Sequence, residues 1–129
     1  MVPRIAQLRP RTLFAIDAVG AAVSALVLGL VLPRFESLVG MPPATLYLLA
    51  VVPVVFLLYD VGCLLTGRAE RPAYLLPIAL ANLGYCVLSV GYLVRHREHL
   101  TPLGWTYFVI EIVVVVALAT LEIRAHRSR

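Results

Sequence analysis

The chain has 129 residues, of which 61% are hydrophobic and only 14% charged, with a formal net charge of +4. A water-soluble domain carries about 25% charged residues, so these proportions exclude one. The eleven Lys-plus-Arg positions are all arginine. They gather at the ends of apolar runs, with no aromatic–basic stripe and no Gly-rich phosphate loop, which excludes nucleic acid and nucleotides as partners.

In chain order, Met1–Arg11 reads as a short basic tail at the membrane surface, with Arg4, Arg9 and Arg11 and with Pro3 and Pro10 discouraging helix. Its continuation resembles a secretory leader, with Val23-Ser24-Ala25 as a cleavage site. The apolar run continues to Leu32 and is interrupted by Asp17, however, so a retained first span is the better reading. That span, residues 12–32, is 21 residues long. As a helix it covers roughly 31 Å, about the thickness of a bilayer's hydrocarbon core. A loop from Pro33 to Pro43 follows. The second span covers residues 44–66, with Tyr47 near its start and Pro53 in mid-helix, where a kink is expected. Gly67–Pro72 (GRAERP) is a short polar link, and the third span covers 73–94. Arg95–Thr101 (RHREHLT) is a charged loop. The fourth span, 102–123, opens with an interfacial aromatic cluster of Trp105, Tyr107 and Phe108 and ends in the basic tail Arg124–Arg129.

The expected fold is all-α: one membrane domain over residues 1–129, with four transmembrane helices in an up-down-up-down bundle of two hairpins. Eight arginines fall in the N-tail, the 67–72 link and the C-tail, and three in the other two loops. The positive-inside rule then places both termini in the cytoplasm, and a bacterial inner membrane is the expected location. Sliding the chain by 62 residues lays Asp60 on Glu122, Val51-Val52 on Val113-Val114, and Gly29–Glu36 on Gly91–Glu98. Such a register describes a parallel duplication of one hairpin.

Chemistry concentrates on acids inside the spans, because a carboxyl group in lipid is expensive and normally faces protein or water. Asp17 shares its helical face with Gly20, Ala21, Ser24 and Ala25, so it points at another helix rather than at lipid. Asp60 lies at nearly the same depth in the second span, and the two carboxyls are expected to meet and share a proton. Asn82, Tyr85, Cys86 and Ser89 form a polar stripe on the third span. Glu111 sits near mid-membrane in the fourth, one turn after Tyr107, and is expected to hydrogen-bond to Asn82 or Tyr85. Asp17, Asp60, Asn82, Tyr85 and Glu111 are therefore the candidate binding or proton-carrying residues. The competing reading is that these groups merely lock the bundle. Glu122 is eleven residues beyond Glu111 on nearly the same face, and reads as an interface residue snorkelling toward Arg124 or Arg127.

Other motifs carry less. His96 and His99 flank Glu98 in a loop that lacks a third ligand and holds two arginines, so no metal site is expected. No cofactor motif is present. Ser24 has no intramembrane base, which disfavours a nucleophilic hydrolase. Cys63 and Cys86 lie roughly 15 Å apart in depth, too far to bridge, and read as small packing residues.

Three functional readings follow. The first is proton-linked transport or binding of a small molecule, for which a four-helix chain needs a homodimer to enclose a path. The second is an accessory or scaffold subunit whose small-residue face serves a partner membrane protein. The third is an enzyme acting on a lipid or isoprenoid with a carboxyl as general acid. In size and span number the chain is similar to the small multidrug-resistance exporters. It departs from them in carrying an aspartate close to one face, Asp17, and an arginine asymmetry that argues a single orientation, and it shares no motif with them.

Overall fold

Each span opens on a proline. The computed structural model describes residues 9–127 and contains four helices long and apolar enough to cross a membrane: Pro10–Val39, Pro43–Thr66, Pro72–Arg95 and Pro102–Arg127. Proline suits the first helical turn, where its missing N–H would have no partner and its fixed φ is already helical. Pro10 therefore starts a helix instead of discouraging one, and Arg11 belongs to the first span, not to a tail. Residues 1–8 of the expected tail, and 128–129 of the C-tail, lie outside the described residues.

The first span comprises α1 (Pro10–Leu26), a π-helical turn (Val27–Val31), a 3-10 turn (Leu32–Phe35) and the short α2 (Glu36–Val39). Helix thus passes through the expected stop at Pro33, and the 33–43 segment is not a simple loop. In a regular α-helix the Pro33 ring would clash with the carbonyl one turn earlier; widening the preceding turn to π geometry gives it room. The chain ends this run at Gly40, whose left-handed backbone (φ 87°) caps α2. The remaining spans are α3 (Pro43–Thr66), which continues through Pro53 and is capped by left-handed Gly67, α4 (Leu75–Arg95), entered by a 3-10 turn, and α5 (Pro102–Arg127).

Among the described residues there is no strand, and the molecule is an all-α four-helix bundle of a multi-pass membrane protein. α1 packs chiefly on α3 and α4 on α5, while α1–α5 and α3–α4 contacts are sparse, so the bundle is two hairpins laid side by side. Outward-facing positions are apolar, including Val19, Leu26, Leu58, Leu65, Val87, Ile110 and Val113, as a lipid-facing wall requires.

Two apolar cores fill the interior. One, toward the end carrying both termini, contains Leu13, Phe14, Cys63, Leu75, Ile78 and Ala125. The other, toward the loop end, contains Leu28, Leu46, Leu49, Ala50, Leu93 and Phe108. On every helix the residues between these two sets are where the buried polar groups fall.

The hairpins are fastened at a loop-end corner. Thr101 donates from its backbone N–H to the Val39 carbonyl (3.1 Å), and its hydroxyl donates to the Leu38 carbonyl. A side chain at Gly104 would lie 2.2 Å from the Val39 carbonyl oxygen, so only glycine allows α5 to seat there.

Candidate functional site: an intramembrane polar layer beside a lateral cleft

Each of the four spans contributes one group to a buried polar layer: Asp17 from α1, Asp60 from α3, Asn82 from α4 and Glu122 from α5. Asp60 and Glu122 are wholly buried, and Asp17 and Asn82 are 3% and 4% exposed. The Asn82 side-chain amide donates to Asp17 Oδ1 (2.9 Å) and to Glu122 Oε1 (3.0 Å), so one nitrogen joins α1 to α5 through α4. The Asp60 carboxyl lies against Asp17, and Glu122 also neighbours both aspartates.

Donors run short in this layer. The three carboxyls present six oxygens, and Asn82 supplies both of its N–H groups. Asp17 Oδ2, Asp60 Oδ1 and Oδ2, and Glu122 Oε2 are buried without a hydrogen-bond partner. The donor that reaches these acids, Asn82, is neutral. Burying a polar oxygen without a hydrogen bond is costly, so these four oxygens mark the layer as short of donors.

One turn along α4 the second acidic station begins. Tyr85 donates its hydroxyl to Glu111 Oε1 and Tyr107 donates to Oε2, each at 2.6 Å. Glu111 is 8% exposed, Tyr85 5%, and Tyr107 half-buried. Both Glu111 oxygens are thus satisfied, unlike those of Asp17 and Asp60. The Tyr85 ring is held edge-on by Phe56 from α3.

A cavity of about 420 Å³ joins the two stations. Asp17 and Asn82 border one part of it and Tyr85, Tyr107 and Glu111 another. The rest is mostly apolar: Val27 in the π-helical turn after α1, Pro53 and Phe56 on α3, and Val114, Val115 and Leu118 on α5. Gly20, Ala21 and Ser24 keep the α1 wall thin, and their small size is what leaves the space. The rim residues Val23, Ile110 and Val114 are each more than half exposed, so the cavity opens sideways between α1 and α5, at a depth where the surroundings are lipid.

All five residues singled out from the sequence line or adjoin this region. Asp17 and Asp60 are neighbours across the first hairpin, and Tyr85 meets Glu111. Asn82 does not reach Glu111; it serves Asp17 and Glu122 instead. Glu122 corrects the sequence reading outright. It is wholly buried and accepts from Asn82 rather than from Arg124 or Arg127, because α5 runs on to Arg127 and sets Glu122 a full turn inside the helix end. The signal was its spacing of eleven residues from Glu111, three helical turns on one buried face with Phe108, Ala119 and Ala125. Ser89 is also buried, without a hydrogen-bond partner, and does not line the cavity. Cys63 and Cys86 are both free and buried. Among the described residues no group of His, Cys, Asp and Glu has an arrangement that could hold a metal ion.

No protein-family model, curated protein or solved structure matches this chain.

Proposed function

We propose that this small integral membrane protein binds an amphipathic small molecule in the cleft between its hairpins and couples that binding to protons on its buried acids. The observation that carries the reading is the lateral cavity, apolar on most of its wall and bordered by Asp17–Asn82 and Tyr85–Glu111–Tyr107. Binding sites combine that kind of apolar shell with a few convergent polar groups. A sideways mouth selects a ligand that partitions into lipid. Acceptor-rich borders select a head that is cationic or donates hydrogen bonds. For transport we propose a homodimer with both termini cytoplasmic, since one four-helix bundle is too thin to wrap a continuous path.

Native mass spectrometry of the detergent-solubilised protein with decylamine, decanol and decanoate tests the reading, because the three share a tail and differ in the head. The expected order of adduct formation is amine, then alcohol, then carboxylate. Asp17→Asn and Glu111→Gln should each reduce the amine adduct at least tenfold. Equal binding of decanoate and decylamine, or indifference to both substitutions, would overturn it. The same spectra give the oligomeric mass, and a retained second chain of different mass would favour the scaffold reading instead.

A further inference from the structure

The polar layer and the cavity touch at only part of their surfaces. Asp17 and Asn82 line the cavity, but Asp60 and Glu122 do not, and both of the latter are wholly buried. Toward the termini the layer is covered by the core of Leu13, Phe14, Cys63, Leu75 and Ile78, and toward the loop end by the second apolar core. We infer that Asp17, Asp60, Asn82 and Glu122 form an intramembrane proton-holding site, and that its protons exchange with the outside through the cavity by way of Asp17.

Two independent observations support the assignment. Asp60 is wholly buried with both oxygens unpartnered, and it is aimed at the neighbouring Asp17. A carboxylic O–H on Asp60 or Asp17 would donate across that contact, and one on Glu122 would complete the layer. The second observation is the cavity itself, which ends on Asp17 and not on the other two acids. The titratable groups facing the site are few. α1 brings Asp17; α3 brings Asp60, with Tyr59 and Cys63 beside it; α5 brings Glu122; α4 brings only the neutral Asn82. Tyr59 is engaged elsewhere, donating to the Tyr74 carbonyl at 2.7 Å. In release, an O–H bond of Asp17 breaks, its proton passes to a water or ligand in the cavity, and the carboxylate left behind is refilled from Asp60 or Glu122.

A consequence is that whatever occupies the cavity also controls proton traffic, even though Asp60 and Glu122 never touch it. The test needs no ligand: infrared spectroscopy of the full chain in lipid vesicles, transferred from H2O to D2O at neutral pH. The expected result is a protonated-carboxyl band that is altered by each of Asp17→Asn, Asp60→Asn and Glu122→Gln, with every substitution shifting the bands that remain, since the protons are shared. Gly20→Leu projects into space where a new Cβ meets nothing within 4 Å and narrows the cavity beside Asp17. It should slow deuterium exchange at least tenfold, and Gly20→Ala should slow it less. Gly84→Leu, also unobstructed but off the cavity, should leave the rate unchanged. Absence of the band, three bands that vanish one by one without moving the others, or equal exchange in Gly20→Leu and Gly84→Leu would each overturn the inference. Failure of amine binding with these results intact would defeat the ligand reading alone.

Discussion

Replacing Asn82 separates a polar layer that holds the bundle together from one that the bundle merely tolerates. Asn82→Leu keeps the side chain's approximate volume and removes both donors, leaving Asp17 Oδ1 and Glu122 Oε1 without partners beside four oxygens that already lack them. In membrane bundles an interhelical hydrogen bond contributes about 0.6 kcal/mol on average and up to about 1.7. Hydrogen bonds to ionisable groups lie at the higher end, and no spare donor stands nearby to compensate, so the expected loss is about 2–3 kcal/mol. Asn82→Asp exchanges a donor for a fourth acidic group at the same shape and should lose about 3–5 kcal/mol. Lowering the pH should restore part of that loss, because a protonated carboxyl regains one O–H donor. Leucine at 17, 60, 82 and 122 together removes acceptors and donors alike and should come within about 1 kcal/mol of the parent, since buried polar clusters are often no more stable than well-packed apolar replacements. Reversible unfolding in mixed SDS micelles, followed by the fluorescence of the single tryptophan, Trp105, measures all three. If Asn82→Leu lost under about 0.5 kcal/mol, or if the Asp variant matched the parent at neutral pH, the argument from donor shortage would be refuted.

Three further substitutions probe other parts of the molecule. Gly104→Ala places a methyl group 2.2 Å from the Val39 carbonyl oxygen and should destabilise by about 2–4 kcal/mol in the same assay, whereas Gly62→Ala, where a Cβ meets nothing within 4 Å, should stabilise by up to about 1 kcal/mol through helix propensity. Tyr85→Phe leaves Glu111 Oε1 without its 2.6 Å donor and should lower both stability, by about 1–2 kcal/mol, and the decylamine adduct measured by native mass spectrometry.

The spans were legible because apolar runs of bilayer length have few other uses, and the meeting of Asp17 with Asp60 followed from their equal depth on one hairpin. Depth also misled. Counting from a span end at residue 123 puts Glu122 at the interface, but the helix continues to Arg127. Its helical phase, shared with Glu111, was the better guide to where it points. Pro10 reads as discouraging helix, and the first span is expected to end before Pro33, but a proline's effect depends on its turn: Pro10 starts a helix, and Pro33 is absorbed by a π turn. The cleft could not be read from composition, since it depends on how closely two hairpins approach, and residues such as Gly20 and Ser24 allow either tight packing or a gap. The register shift of 62 residues pairs Asp60 with Glu122, and both end in the same layer.

The two hairpins are joined at opposite corners: covalently by residues 67–72 between α3 and α4 at the termini end, and by Thr101 on the end of α2 at the other. Between those corners the hairpins meet through two apolar cores and, in the layer that separates the cores, through the bond from Asn82 to Asp17. Apolar packing fixes no single partner atom, whereas that bond ties one nitrogen of α4 to one oxygen of α1. Whatever takes Asp17 away from Asn82 therefore removes the directional tie between the hairpins beside the cleft and leaves only packing there.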